Sequence, residues 1–278
     1  MRFLVLGDIH AHLKIINILI EEHPEVDAVL QAGDIGIWKT QDFLNWGYLV
    51  DKRGHWNIVD TMVPFQDVVK GKYKFDKPLI CITGNHENFD YRDSIDWKKL
   101  AKEQVGWLGV CNNFTSWGLE NIKIAGLNGC YSYKVYTDQY QKRRKIKVKP
   151  ETPPHIEEYL NRVMGRDPRG RFTKKDIDTL KKQKADILLL HEVPIGLFND
   201  GDLAIAQKPG CSPINDLIET MQPRVAFCGH FHRHGEMQIG RTRVIGLPMV
   251  YDDRYNLVSY GIFDTNDWKF ELIQKYNG

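Results

Sequence analysis

The sequence predicts an α/β fold of two mixed β-sheets, chiefly because five short apolar segments each stop at a polar motif. The segments are rich in aliphatic and β-branched residues, as buried strands are: Phe3-Leu4-Val5-Leu6, Ala28-Val29-Leu30, Leu79-Ile80-Cys81-Ile82-Thr83, Ile187-Leu188-Leu189-Leu190 and Val225-Ala226-Phe227-Cys228. Between the first two, Leu13, Ile16, Leu19 and Ile20 recur at helical spacing. The chain therefore starts as strand, helix, strand.

The remaining elements follow in order along the chain. We expect a strand at 2–7, a helix near 12–22, a strand at 26–33, a helix with a loop within 38–75, and a strand at 122–127 that starts the second half. Near the C-terminus, 236–239 and 243–247 flank Gly240-Arg241-Thr242 as a hairpin. Strands near 257–263 and 268–274 come next, so this part is expected to be antiparallel.

Polar motifs stand where the five apolar segments end: Gly7-Asp8-Ile9-His10, Gly33-Asp34, Gly84-Asn85-His86-Glu87, His191 and Gly229-His230-Phe231-His232. The carboxyl ends of parallel strands share one edge of a sheet, where α/β folds place their sites. Taken singly, an Asp after Gly is usually a turn or helix cap, and a buried His is usually a core residue. Taken together, they favour a metal site.

The donor types narrow the choice of metal. A mixed set of imidazoles and carboxylates suits Mn, Fe, Zn, Co or Ni better than Ca or Mg, which prefer oxygen ligands. Two such ions, roughly 3.5–4 Å apart, can clamp a phosphoryl group and activate a water molecule. We therefore expect two divalent transition-metal ions as cofactors.

The order of these motifs resembles the calcineurin-like metallophosphoesterase superfamily, whose pattern is D-x-H, G-D, G-N-H-[ED], H and G-H-x-H. The match runs from Asp8 to His232. The resemblance implies a four-layer α/β/β/α sandwich. It also implies one metal held by Asp8, His10, Asp34 and His232, and a second held by Asp34, Asn85, His191 and His230.

The resemblance further assigns Asp34 as the bridging ligand and His86 as the group that protonates the leaving oxygen. Glu87 is expected to orient a ligand from outside the metal shell. Two further histidines, His12 and His234, extend the motifs but are not required by the family pattern. Both are expected to be polar residues at the rim of the cleft.

Length and composition indicate one globular enzyme domain spanning 1–278. The chain has 278 residues, 42% of them hydrophobic, and a formal net charge of +2. No segment reaches membrane-spanning length, and the short apolar start leads directly into the first motif. The five cysteines form no C-x-x-C pair, which favours reduced structural thiols in a cytoplasmic protein.

A basic insertion occupies about 131–184, between the third and fourth motifs. Across 141–184 there are 15 Lys and Arg against 6 Asp and Glu, a net charge of +9. Such a lobe suggests a polyanionic partner, with Lys142, Arg143, Arg144 and Lys145 as candidate contacts to a nucleic acid or nucleotide. A solvated surface loop is the alternative.

The second half also resembles RNA lariat debranching enzymes, through His191-Glu192-Val193-Pro194, Gly210-Cys211-Ser212-Pro213 and the Gly229 motif. Those enzymes have Cys where this chain has Asp8, and they carry a further C-terminal domain. Protein phosphatases of the superfamily have G-D-x-V-D-R-G, whereas Gly33-Asp34-Ile35-Gly36-Ile37-Trp38 lacks that arginine. We therefore expect a phosphodiesterase for a nucleotide or nucleic acid. The alternatives are a phosphomonoesterase, a non-catalytic scaffold, and a nucleic-acid binder that uses 141–184 and needs no metal.

Overall fold

The computed structural model describes residues 1–42, 60–109, 121–139, 167–198, 209–251 and 259–275. Within these ranges the strands are β1 (Arg2–Leu6), β2 (Ala28–Ala32), β3 (Leu79–Ile82), β4 (Val105–Trp107), β5 (Ile124–Leu127), β6 (Ile187–Leu190), β7 (Val225–Cys228), β8 (Gly235–Ile239), β9 (Thr242–Gly246), β10 (Ser259–Asp264) and β11 (Lys269–Gln274). The helices are α1 (Lys14–Glu22), α2 (Phe65–Val69), α3 (Phe89–Ser94), α4 (Trp97–Glu103), α5 (Tyr133–Tyr136), α6 (Lys174–Leu180) and α7 (Ser212–Met221), with a 3₁₀ turn at Pro168–Gly170.

The strands form two mixed sheets. The first has the order β11-β10-β1-β2-β3-β4, in which β1 to β4 are parallel and β10 runs antiparallel to β1. The second has the order β5-β6-β7-β9-β8, in which only β8 is antiparallel. Each half of the chain thus builds the parallel strands of one sheet, and the C-terminal strands β10 and β11 return to the first.

Successive side chains of a strand alternate between the two faces of its sheet, and this explains why the two sheets stack. In β1, Phe3 and Val5 pack between the two sheets with Phe227 and Leu189, whereas Leu4 packs on the helix side. Three apolar layers result: helices α1 and α4 on the first sheet, sheet on sheet, and helices α6 and α7 on the second sheet. The expected four-layer α/β/β/α sandwich is confirmed.

Most of the predicted elements occur where the sequence placed them, including the hairpin of β8 and β9 around Gly240 and the final strands β10 and β11. Two features differ. Strand β4 was not predicted because it has only three residues, and β9 pairs in parallel with β7 rather than belonging to a purely antiparallel end. The hydrogen-bonding partner of a strand is set by its neighbours in space, which a local pattern does not encode.

Parts of the basic insertion lie outside the described residues, among them Lys142, Arg143, Arg144 and Lys145. The described parts of the insertion are 131–139, with α5, and 167–184, with α6. Across the described ranges, no helix has both the length and the apolar character needed to cross a bilayer.

Candidate metal centre

The polar motifs meet because the strands that precede them are neighbours. Strands β1, β2 and β3 are adjacent in the first sheet, and β6 and β7 are adjacent in the second. The turns that follow are hydrogen-bonded to one another: the amide of His10 donates to the carbonyl of Asp34 at 2.8 Å, and that of Gly229 to Leu190 at 3.1 Å. The carboxyl ends of both sheets therefore form one polar edge.

The backbone at this edge is held in an uncommon conformation. His10, Asp34, His230 and His232 have φ values of 41°, 51°, 71° and 54°, in the left-handed region that side chains normally avoid. Each such residue costs about 1–3 kcal/mol and persists only where the surroundings enforce it. Four of the predicted ligands share this feature, which is typical of a functional site.

Gly84, the glycine of the Gly84-Asn85-His86 motif, is required because its backbone lies very close to Asp34. A Cβ atom at Gly84 would contact the carboxylate of Asp34 directly, with its Cγ only 2.6 Å away. The absence of a side chain lets the turn after β3 lie against the turn after β2. The amide of His86 then donates to Asp34 Oδ1 at 2.8 Å.

Asp8, His10 and His232 form the first group of possible metal ligands. Their ligand atoms all lie within 4.8 Å of one another. Asp8 is fully buried, its Oδ2 lies 2.9 Å from His232 Nε2 and 3.9 Å from His10 Nε2, and its Oδ1 accepts from the amide of His230 at 3.0 Å. One buried carboxylate thus faces two imidazoles.

Asp34, Asn85 and His191 form the second group of possible metal ligands. His191 Nε2 lies 3.3 Å from Asp34 Oδ2 and 3.1 Å from Asn85 Oδ1, while its Nδ1 lies 3.1 Å from the carbonyl of Ala32. Asp8 is also within 4.8 Å of Asp34 and His191, so Asp8 belongs to both ligand groups among the described residues. The bridging position assigned to Asp34 remains a prediction.

His230 lies next to this convergence, with its ring centroid 4.9 Å from that of His191. Its ligand atom also groups with Cys130 and Glu192, all within 4.8 Å. The Cys130 thiol donates to Asn85 Oδ1 at 3.3 Å, and Glu192 accepts from the amides of Tyr131 and Val193. Sequence reasoning missed both residues, although Cys130 follows a strand and a glycine in the same way as the ligands do.

Electrostatics favour a cation at this edge. Burial alone would lower the pKa of His191, but the carboxylates of Asp34 and Asp8 raise it to about 10. Burial would raise the pKa of Asp34, yet the charge of His191 holds it well below its usual value. Burial lowers the pKa of His10 and His230 to about 4, which leaves both imidazoles neutral, the form that binds metals.

Glu87 and His86 lie beside the groups of possible metal ligands but do not belong to them. The buried carboxylate of Glu87 accepts from the amides of Ile35 and Gly36 at 3.0 Å each, and from that of Ile37 at 2.5 Å. The ring of His86 lies edge-on to His10, with centroids 5.6 Å apart, and belongs to no ligand group among the described residues.

His12 and His234 have different surroundings. His12 is 4% exposed, stacks on Tyr251 with centroids 4.3 Å apart and lies 2.8 Å from the Thr61 hydroxyl, so the expectation of a rim position was wrong. The amide of Val63 donates to the carbonyl of Ala11 and that of Lys14 to the carbonyl of Thr61, so residues 61–63 pack against the segment that carries His12. His234 Nδ1 lies 3.1 Å from the carbonyl of Gly246.

Two known proteins share sequence similarity with this chain. A lariat debranching enzyme of Schizosaccharomyces pombe is 23% identical over 249 residues, 84% of this chain and 48% of that protein. One of Drosophila melanogaster is 24% identical over 169 residues, 55% of this chain and 28% of that protein. The chain spans about half the length of the yeast relative.

One solved crystal structure superposes with a TM-score of 0.55 at 14% identity and covers 98% of both chains, which supports the fold alone. A family profile described as calcineurin-like phosphoesterase matches residues 1–234, which include every predicted ligand. The chain therefore belongs to the calcineurin-like phosphoesterase family.

Proposed function

We propose that the chain is a dinuclear-metal-dependent phosphodiesterase that hydrolyses a nucleotide or nucleic-acid phosphodiester. The observation that carries the proposal is the convergence of Asp8, Asp34 and Asn85 from the first sheet with His191 and His230 from the second. Oxygen and nitrogen donors about 3 Å apart can share a metal ion with bonds of about 2.0–2.2 Å. The family uses dinuclear metal centres.

The donor set fits two divalent transition-metal ions. Asp8, His10, Asp34 and His232 would hold one, and Asp34, Asn85, His191 and His230 the other. Two buried carboxylates within 4.8 Å of each other need positive charge, which the ions would supply in place of a proton on His191. When bound, such ions neutralise phosphoryl oxygens and lower the pKa of water.

His86 is the proton donor in this proposal. Its amide donates to Asp34, and its carbonyl accepts from the Trp38 indole at 2.9 Å, so its backbone is fixed on both sides. Its ring lies edge-on to that of His10, with centroids 5.6 Å apart. In the proposed reaction His86 protonates the departing oxygen, and Asp34 would serve as a metal ligand.

The turn after β2 favours a diester over a monoester. Trp38 stands at the position of the phosphatase arginine, and it is 3% exposed. A neutral, buried indole cannot neutralise the second charge of a phosphomonoester, whereas a diester carries only one. The debranching-enzyme relatives support a nucleic-acid substrate for the same site.

Metal analysis together with hydrolysis of an aryl phosphodiester tests the proposal. We expect two transition-metal ions per chain, and we expect Asp34→Ala to lose both ions and all turnover. Asp34→Asn keeps the shape of the side chain, and asparagine tolerates the positive φ at this position. Asp138→Ala, at an exposed residue with φ of 56°, controls for strain.

One ion per chain at saturating metal, or unchanged metal content in Asp34→Ala, would contradict the dinuclear proposal. Full metal content without turnover of any ester would indicate a scaffold. Faster hydrolysis of the aryl monoester than of the diester would assign the chain as a phosphatase.

A further inference from the structure

Cys130 lies beside the second group of possible metal ligands and has no part in the proposed reaction. It is fully buried, and its thiol donates to Asn85 Oδ1 at 3.3 Å. Its sulfur also lies within 4.8 Å of the ligand atoms of His230 and Glu192. A sulfur donor thus stands next to two residues that the proposal assigns to the second ion, Asn85 and His230.

The backbone on both sides of Cys130 fixes the position of this sulfur. The amide of Gly129 donates to the carbonyl of Thr83, at the end of β3, at 2.8 Å, and that of Cys130 donates to the carbonyl of Gly170 at 3.0 Å. Gly129 has a φ of 76°, and a Cβ atom there would lie 2.5 Å from the Gly170 oxygen. Residue 130 is therefore held between β3 and the 3₁₀ turn, close to Asn85.

The distance between Cys130 Sγ and Asn85 Oδ1 suits two ligands of one ion. Zinc binds thiolate sulfur at about 2.3 Å and oxygen at about 2.0–2.2 Å. Bonds of these lengths place the two atoms about 3.1 Å apart at a right angle and about 3.6 Å apart at the tetrahedral angle. The observed 3.3 Å lies between these values.

The groups around the sulfur are compatible with a thiolate. A metal ion replaces the thiol proton, which is released to solvent. The Arg171 guanidinium contacts the sulfur, so a thiolate there would be paired with a cation. Glu192 is the less available donor, because its two carboxylate oxygens already accept from the amides of Tyr131 and Val193 at 2.9 and 3.0 Å.

We propose that Cys130 is an additional ligand of the second ion, beside Asn85 and His230, and makes this position selective for thiophilic ions such as Zn²⁺. The inference rests on the proposed dinuclear centre and deepens it, since it names the type of metal at one position. Thiolate ligands favour Zn²⁺, whereas Mn²⁺ prefers oxygen donors. The group of Asp8, His10 and His232 contains no sulfur among the described residues and should lack this preference.

Absorption spectroscopy of the Co²⁺-loaded protein tests sulfur ligation without relying on activity. Titration of the metal-free protein with Co²⁺ should produce a near-ultraviolet sulfur-to-cobalt charge-transfer band. Cys130→Ser should abolish the band and, at saturating Co²⁺, retain two ions per chain, because a hydroxyl can still donate to Asn85.

Cys211→Ser is the matched control and should keep the band. Cys211 is also buried, but it belongs to no group of possible metal ligands among the described residues. It occupies the N-cap position of α7, where serine is a favoured residue, so the fold should tolerate the substitution.

Metal competition provides a second readout, measured by calorimetric titration. Cys130→Ser should lower the Zn²⁺ affinity of one of the two sites by more than the roughly 10- to 100-fold that outer-shell substitutions cost. The Mn²⁺ affinity of the same site should be nearly unchanged. An equal loss for both ions would mean that Cys130 supports the site without binding metal, and would overturn the inference.

The spectrum of the wild type decides the matter even if Cys130→Ser does not fold. Two bound Co²⁺ ions without a charge-transfer band would overturn sulfur ligation, and hydrolysis of the aryl phosphodiester by that protein would leave the proposed function intact. A band that persists in Cys130→Ser would assign the sulfur to another cysteine. Failure to bind any of the three metals would contradict both the inference and the dinuclear centre.

Discussion

Two adjacent residues, Asn85 and His86, have separate roles in the proposed site. Asn85 lies 3.1 Å from His191, within the proposed second metal shell, whereas His86 lies outside the ligand groups of the described residues and faces His10. The separation arises because the turn after β3 is fixed by hydrogen bonds to Asp34 and Trp38. One turn can therefore supply both a ligand and a proton donor.

His86→Ala should retain both metal ions and lose turnover. General acid catalysis typically contributes about 10²–10⁴-fold, so a loss of that order is expected for an alkyl leaving group. The loss should shrink for an aryl leaving group, which departs without a proton. His234→Ala is the matched control, since that histidine contacts Gly246 instead of the cluster. An equal loss for both leaving groups would contradict the acid role.

At the scale of elements, the turn after β2 depends on a residue of the turn after β3. Glu87 is fully buried and accepts hydrogen bonds from three consecutive amides, those of residues 35–37. Asp34 immediately precedes these residues. The position of one predicted ligand is therefore set by a carboxylate from the neighbouring strand.

Glu87→Gln should weaken metal binding, because an amide has only one acceptor oxygen and cannot bind all three N–H groups. Outer-shell substitutions of this kind typically cost about 10- to 100-fold in metal affinity. Titration of the metal-free protein with metal measures the effect. Glu236→Gln, at an exposed ion pair with Arg243, controls for the loss of a carboxylate. Unchanged affinity in Glu87→Gln would show that the turn holds its shape without Glu87.

The basic insertion is the second element with a testable role. Neutralising Lys142, Arg143, Arg144 and Lys145 together should weaken binding of a nucleic-acid polymer and flatten its salt dependence. Each phosphate contact removed lowers the log–log slope by about 0.7–0.9. Binding assays at several salt concentrations measure it. An unchanged slope would indicate a solvated loop, and a parallel loss for a small aryl diester would indicate a lid.

At the scale of the whole molecule, the proposed ions would join the two sheets. Asp8, Asp34 and Asn85 belong to the first sheet, and His191 and His230 to the second, so any shared ion connects the carboxyl edges. Elsewhere the sheets are held by apolar packing, for example Phe227 against Phe263 at 5.3 Å. We therefore expect metal binding to stabilise the folded chain.

Removing the metal should lower the thermal midpoint. A ligand at 100 times its Kd adds about 2.7 kcal/mol, which corresponds to roughly 5–10 °C for a chain of this size. Thermal unfolding with and without a chelator measures the change. Asp34→Ala, which should not hold either ion, ought to show no response to the chelator. An equal response in that variant would place the stabilising metal elsewhere.

The sequence by itself determined the family, the two-sheet fold and the predicted ligands, because these depend on local signals. Apolar runs that stop at a polar motif predicted where β1, β2, β3, β6 and β7 end, and residue types alone indicated a metal site. Such signals are short-range, since burial and turn chemistry are encoded within a few residues.

Only the tertiary structure decided which distant residues meet. Arg171 reaches Cys130, Glu87 binds the amides after Asp34, and His12 is buried against Tyr251. The short strand β4 and the parallel pairing of β9 likewise depend on their neighbours. Each of these contacts joins residues far apart in the chain, and their free energy comes from packing and hydrogen bonds that exist only once the sheets have assembled.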